Sequence, residues 1–513
     1  MKKLNGKPIF AAKEIYLCLL TVYAILREML AIQNLVGSSL ITYGFFGAGM
    51  AIAMGCALVS PKPYIHRSQW LPLGFLAICV ISTGLNLQFE LMSNIKAIAW
   101  MALYFFLLLP GGWDAEKEDK CWRRVMWTAV ITLFAMAFFS LPMYFFDVDY
   151  FYVKETGFVN NQGFSREFMR LWGLYNDANT AGVYSLVGMC MAAYLFTQSK
   201  KRLTRIFLIY TEVVLFLMMV LTNSRTALVA LVVAAAWIAG YCLLTRIRLT
   251  LWKRLGFTVV GMAVALAVTL GLCEAVKWTV PYVKVGVKSL TTESVNGAIH
   301  RGYDRLYQKS DLNITEGYYV EPGTQKPEPD ATEPDATEPV ATEPVATEPG
   351  TTEPVETKPS APVVESLDRQ DKKEDLSNGR FQKWSEVMEV VRYKPIFGAS
   401  PRGISAAAKQ VAPQSTVARF GFAAHNSMLE VLAGTGAVGF VIVLVILVLV
   451  AWKILRAAFT AAFCWKTLLY STVLLMMMCE MMFISDVFFG MTFGGVAFWL
   501  SAGRMMEPKK KKE

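Results

Sequence analysis

Apolar residues in this chain come in long blocks separated by polar breaks, and the blocks are long enough to cross about 30 Å of hydrocarbon as helix. Twelve blocks are read as helices, at residues 14–33, 37–59, 70–87, 95–112, 124–146, 178–198, 204–222, 225–244, 254–275, 427–452, 465–484 and 486–503. The pattern predicts an all-α polytopic membrane protein of about 12 transmembrane helices. The first block carries Arg27 and Glu28 and lacks the cleavage pattern of a secretion signal, so it is expected to be retained.

The polar breaks are unequal. Most are tight, but 147–177 and 276–426 are long, which divides the chain into helices 1 to 9 (1–275), a large loop between helices 9 and 10 (276–426), and three last helices with a basic tail (427–513). Within the large loop, ATEPD, ATEPV, ATEPV, ATEPG and TTEPV follow one another from Ala331 to Val355, inside a proline- and glutamate-rich stretch of 321–375. Such a tract cannot bury enough apolar surface to offset its ordering entropy and is read as a solvated spacer, with an adhesive or wall-reaching stalk as the functional alternative. Beyond it, Asn378 is placed to cap a helix carrying Phe381, Trp384, Val387, Met388 and Val391, stopped by Pro395. That stripe either packs on the bundle or forms a lid over a site.

Composition agrees with the pattern: 55% of residues are hydrophobic and 18% charged, too apolar for a soluble domain. Lysine and arginine set the orientation, because cytoplasmic connections retain positive charge. Lys62 and Arg67, Lys117 to Arg124, Lys200 to Arg205, Arg246 to Arg254, Lys453 to Lys466, and Arg504 with Lys509–Lys512 all fall on one side when both termini are cytoplasmic. The formal charge of +10 is mostly this topological signal, helped by membrane lipid headgroups, and no basic patch interleaved with aromatics suggests nucleic acid. Of nine cysteines none lies in the two long outer segments, so no disulfide framework is expected there. No C-x-x-C metal spacing occurs, and no metal or cofactor is expected.

In this topology helices six, eight and ten present their N-termini, with unpaired N–H groups, to the outer water. Each end bears a polar residue: Asn179 in LYNDANTAG, Arg225 in TNSRTAL, and His425 in AAHNSML. Arg170, Arg380 and Arg402 add outer positive charge, and arginine forks suit phosphate. Each has a plainer alternative. Taken alone, Arg225 reads first as an interfacial arginine snorkelling to headgroups, Asn179 as an ordinary helix cap, and the other arginines as solvated surface charge. His425 is either a helix-end cap or a base; Met428, Leu429, Leu432, Gly436 and Gly439 are expected on its own helical face, with the glycines admitting a second helix below it. An imidazole with an unperturbed pKa of about 6.5 is suited to take a proton from a hydroxyl. Arg27 with Glu28, Glu480 and Asp486 are read as structural charges facing the bundle interior, and Lys96, Asp147 and Asp149 as boundary residues.

The constellation resembles the O-antigen ligase and O-antigen polymerase family, in which His-Asn is followed by Gly-x-x-Gly. Here His425 and Asn426 precede nine residues and then Gly436, Ala437, Val438 and Gly439, while SRTAL at Ser224 and Arg225, RLWGLYNDAN from Arg170 to Asn179, and GRFQKW before PIFG are similar to further family landmarks in the same order. Ala178 where a proline often stands, Met428 in place of an aromatic, and the ATEP insertion depart from the pattern.

The resemblance implies a metal-independent, inverting glycosyltransferase in cell-envelope assembly, with a polyprenyl-diphosphate-linked glycan as donor and a glycan, lipid or cell-wall hydroxyl as acceptor, acting at the outer face of the cell membrane. It also implies that His425 and Arg225 are catalytic, while Arg170, Asn179, Arg380, Arg402 and Asn426 bind substrate. A transporter or flippase of lipid-linked glycans is the competing class, although no internal repeat with paired broken helices supports it. A membrane anchor displaying the ATEP loop is a third.

Overall fold

The computed structural model describes residues 7–66, 69–109, 115–153, 159–247, 249–308, 367, 379–421, 424–460, 462–485 and 487–506. The ATEP repeats, Arg67, Arg248, Asn378, Asp486 and Lys509–Lys512 lie outside the described residues. The first third holds α1 (Lys7–Leu26), α2 (Leu30–Val36), α3 (Ser39–Val59), α4 (Lys62–Ile65), α5 (Trp70–Leu85), α6 (Leu91–Leu103, prolonged by a π-helical turn Tyr104–Leu108) and α7 (Ala115–Phe145). Strands β1 (Asp149–Val153), β2 (Val159–Ser165) and β3 (Arg170–Gly173) follow, then α8 (Ala178–Gln198), α9 (Arg202–Leu221), α10 (Arg225–Arg246), α11 (Leu251–Leu290) and α12 (Glu293–Gln308). The last part is α13 (Arg380–Tyr393), α14 (Ile404–Val411), α15 (Thr416–Phe420), α16 (Ser427–Thr460), α17 (Trp465–Glu480) and α18 (Phe493–Met506).

A helix occupies each of the twelve apolar blocks. Among the described residues nine are long and apolar enough to cross a membrane. The others, α5, α17 and α18, have 16, 16 and 14 residues, and α18 is buried throughout Phe493–Gly503, so it sits inside the bundle. At the opposite extreme α11 runs 40 residues with few of them buried, twice what the hydrocarbon requires at about 1.5 Å per residue. The expected end of that helix at 275 is therefore early: the large loop begins as its continuation.

Three features depart from the sequence expectation. The shorter long loop adds β-structure to the expected all-α protein, since β1, β2 and β3 form an antiparallel sheet in that order. Arg27 and Glu28 fall in the turn after α1, because that helix starts earlier than its block; Arg27 donates to the Met491 carbonyl and the Glu28 carbonyl accepts from the Asn176 amide. Phe381 stays exposed on α13, although Val387 and Val391 of the same expected stripe are buried.

Ion pairs sort to the two ends of the bundle. At one end Arg504 pairs with Glu118 at 2.5 Å, Lys466 with Asp119, and Arg124 with Glu14, tying α1, α7, α17 and α18 together. At the other end of α7 Asp147 accepts from Arg166 at 2.6 Å and from Lys284 and Lys288 of α11, so one carboxylate joins the sheet to the long helix. Gln162 of β2 accepts from Tyr307 of α12 and donates to the Tyr175 carbonyl at 2.9 Å, which carries the framework to the start of α8.

Candidate active site

The first turns of α8 and α10 lie side by side. Asp177 caps α8 by accepting from the Asn179 amide at 2.9 Å, and Ser224 caps α10 by accepting from the Ala227 amide at 3.1 Å. Asn179 is thus inside the first turn, not the cap. Its side-chain oxygen accepts from Ser224 Oγ at 2.9 Å and from Arg170 Nη2 at 3.0 Å, while its Nδ2 donates to Asp177 at 3.1 Å.

Arg170 comes from β3 and is buried, with Nε donating to the Thr222 carbonyl at 3.0 Å and its guanidinium 5.1 Å from the Trp172 ring. Burial pulls its pKa down to about 10; Asp177 opposes the shift, and the nearby charges of Arg380 and Arg225 add to it. Arg380, at the start of α13 and 5.5 Å from the Phe483 ring, is pulled down by burial and by Arg225, again against Asp177. One turn further along α13, burial and then Arg380 lower the Lys383 ammonium against Glu386. Sequence reasoning passed over Lys383; its signal was the i, i+3 spacing from Arg380. Glu386 is turned to Thr416 and the Val417 amide, at 2.7 and 3.1 Å. Like charges are thus held together against their mutual repulsion beside two helix N-termini, an arrangement suited to a polyanion.

His425 is not on the face of α16. It stands two residues before the helix, half-buried, in a left-handed conformation with φ 49°. Asn426 caps the helix, its Oδ1 accepting from the Met428 and Leu429 amides, both at 3.0 Å. On the other side Ala424 is held at both peptide groups, its N–H donating to Glu430 at 3.1 Å and its carbonyl accepting from Trp384 Nε1 at 2.9 Å. Ser427 is fixed to the end of α17, with its amide on the Met481 carbonyl at 2.7 Å and its hydroxyl on the Ile484 carbonyl at 2.8 Å. The supports of His425 are therefore those of the arginines: α13 carries both Arg380 and Trp384, and Phe483, between Met481 and Ile484, faces Arg380.

The Gly-x-x-Gly has a different role from the expected helix crossing. At Gly436 the backbone turns to φ 66°, ψ −171° and α16 breaks. The turn after α13 docks into the break, with the Ala437 amide on the Pro395 carbonyl at 2.8 Å and the Ala399 amide on the Ala433 carbonyl at 2.8 Å. A Cβ at Gly436 would stand 2.2 Å from the Ile396 carbonyl, and one at Gly398, φ 71°, would stand 2.4 Å from the Thr435 amide. Gly439 lies past the break, against Ile78 of α5. Polar residues of the first third clasp this joint: Ser82 donates to the Gly434 carbonyl at 2.9 Å, Asn86 to the Gly398 carbonyl at 2.9 Å, and Asn94 to Ser400 at 2.9 Å. Arg402 belongs here. Its guanidinium donates to the Phe489 carbonyl at 3.0 and 2.6 Å, and its charge acts on Glu430.

The structure thus brings Arg170, Arg225, Arg380 and Asn179 together, supports the loop of His425 and Asn426 from α13, the helix that carries Arg380, and from the end of α17, and bonds Arg402 to the Phe489 carbonyl. A separate cleft of about 460 Å3, lined by Asp147, Arg166, Lys288 and His300 among others, lies beside the sheet, and its Arg166 and Lys288 are paired with Asp147.

Residues 210–444 match the family model described as O-antigen ligase. That stretch, somewhat under half of the chain, is similar to the O-antigen ligase family. The match runs from α9 through the Gly436 break and contains Arg225, Arg380, Arg402, His425 and Asn426, whereas Arg170 and Asn179 precede it. No curated protein and no solved structure matches the chain. The match supports a role of the O-antigen ligase and polymerase type in glycan assembly for this multi-pass chain.

Proposed function

We propose that this protein, like the O-antigen ligases it resembles over residues 210–444, transfers a glycan from a polyprenyl-diphosphate carrier to an acceptor hydroxyl on the outer side of the cytoplasmic membrane. The supporting observation is the grouping of Arg170, Arg225 and Arg380 at the first turns of α8 and α10, with the His425 loop held through Ala424 by Trp384 of α13, the helix that carries Arg380. Outer placement rests on the positive-inside rule, since the opposite end of the bundle carries the basic connections.

In this reading Arg225 and Arg380 contact the diphosphate, and Arg170, fixed by Thr222 and Asn179, supplies charge behind them. His425 takes the proton of the acceptor hydroxyl. The hydroxyl oxygen forms the new bond to the anomeric carbon from the face opposite the diphosphate, and the old carbon–oxygen electron pair leaves on the phosphate. Charge grows there, where fixed guanidinium groups stabilise the transition state more than the ground state. Asn426 caps the helix that follows the histidine, and Arg402, bonded to the Phe489 carbonyl, places its charge near Glu430.

The test incubates purified protein with a polyprenyl-diphosphate oligosaccharide and candidate acceptors, in chelator. A product ladder identifies a polymerase and a single product a ligase. His425→Ala and Arg225→Ala are expected to lose transfer by about a hundredfold or more while remaining in the membrane. Undiminished transfer by both, or glycan crossing the bilayer with no new bond, overturns the reading.

A further inference from the structure

The backbone of His425 is left-handed, a conformation that a residue with a Cβ holds only when its surroundings over-determine it. What over-determines it is visible on both sides. Asn426 and Ser427 are anchored by the helix cap and by the Met481 and Ile484 carbonyls. Ala424 is anchored by two side chains: Trp384 of α13 on its carbonyl at 2.9 Å, and Glu430 of α16 on its amide at 3.1 Å. Glu430 is buried, one turn into the helix that His425 precedes, and faces the Arg402 guanidinium, which is tied in turn to Phe489. A buried carboxyl oxygen accepting from a backbone amide fixes that peptide group in place, and leaving the amide without it is costly.

We propose that Glu430 and Trp384 are positioning residues for His425: by gripping the two peptide groups of Ala424 they hold the left-handed backbone that presents the imidazole to the acceptor. This rests on the reading of His425 as the group that meets the acceptor hydroxyl. Neither side chain is required to touch substrate. Trp384 gives the grip a second property, because α13 also carries Arg380; the helix that holds the histidine loop also bears a guanidinium proposed to meet the donor, so the two reactants are set in register by one rigid element.

The test measures kcat and KM for the lipid-linked donor in detergent-solubilised, full-length protein carrying Glu430→Ala, Glu430→Gln, Trp384→Phe or His425→Ala, and the pair His425→Ala with Glu430→Ala. Misplacing a catalytic group by about 1 Å lowers turnover by up to about a hundredfold, so Glu430→Ala and Trp384→Phe are expected to lose about tenfold to a hundredfold in kcat with donor KM within about twofold. Glu430→Gln keeps an oxygen for the Ala424 amide and is expected to restore most of the loss. In the His425→Ala background Glu430→Ala is expected to add no further loss, as two residues acting through one group are not additive.

Full activity of Glu430→Ala and Trp384→Phe beside an impaired His425→Ala overturns the positioning role alone, and so does an added loss in the double variant. Should Glu430→Ala fail to accumulate, Trp384→Phe, which keeps an aromatic ring but no N–H, carries the same test. Full activity of His425→Ala overturns the underlying reading and this proposal with it.

Discussion

Ser224 Oγ donates to the side-chain oxygen of Asn179 at 2.9 Å, joining the first turn of α10 to the first turn of α8. The same oxygen receives Arg170 at 3.0 Å, so a single amide sets the spacing between two helix N-termini and a buried guanidinium. Replacing Asn179 by alanine leaves a buried charged donor without this acceptor, at a cost of about 1–3 kcal/mol. Asn179→Ala is expected to melt lower in detergent and to raise donor KM. Ser224→Ala removes the α10 cap and is expected to cost about 0.5–2 kcal/mol, measured in the same way.

The break in α16 makes a sharper demand. Gly436 holds φ 66° and ψ −171°, a region open in practice to glycine alone, and an added Cβ would meet the Ile396 carbonyl at 2.2 Å. Because the contact is backbone on backbone, no side-chain rotation relieves it. Gly436→Ala is expected to lose about 3 kcal/mol or more and to accumulate poorly, whereas Gly256→Ala on exposed α11, where a Cβ meets nothing within 4 Å, is expected to equal wild type or exceed it by up to about 1 kcal/mol. Thermal unfolding of the two purified variants decides it.

Those two elements also mark what could be read from sequence. Hydropathy finds helices because a run of apolar residues is a local signal, and α13 was legible for the same reason, although Phe381 of its stripe is exposed and the cap of α16 is Asn426 and not His425. The joint at Gly436 was not, since its partners are remote: Asn86 meets Gly398 across 312 positions and Ser82 meets Gly434 across 352. A periodicity argument carried α16 straight through Gly436 and so placed His425 on a helical face that starts only at Ser427. Glu430 and Trp384 likewise read as ordinary helix residues, because the group they hold is the peptide of Ala424, which no side-chain pattern reports. The sheet was missed where β1 and β2 carry mixed polar and aromatic residues without clean alternation.

Asp147 gives a pH dependence with a definite sign. Burial alone would raise its pKa, but the hydrogen bonds from Arg166, Lys284 and Lys288 outweigh burial and hold the carboxyl down at about 2. The folded value lies below the unfolded value of about 4, so its stabilisation is complete above about pH 4 and is lost as pH falls toward 2. Wild type is therefore expected to melt well above Asp147→Asn at neutral pH, the gap closing between about pH 4 and pH 2. A gap that stays constant through that window removes Asp147 from the role of joining the sheet to α11.

Arg225 and Arg380 together separate a phosphate site from a merely basic surface. Each charge-assisted contact to a diphosphate contributes about 1.5–3 kcal/mol, so either alanine variant should raise the inhibition constant of inorganic pyrophosphate by about tenfold to a hundredfold. Lysine at Arg225 keeps the charge but loses the planar fork, and should fall between alanine and wild type. Arg402, committed to the Phe489 carbonyl, supplies the contrast. Its replacement by lysine should lower turnover while leaving pyrophosphate inhibition within about twofold, because loss of a positioning contact moves kcat and not the affinity for the leaving group. Equal pyrophosphate effects from all three arginines would mean a diffuse basic field, and would detach Arg225 and Arg380 from any specific contact with the donor.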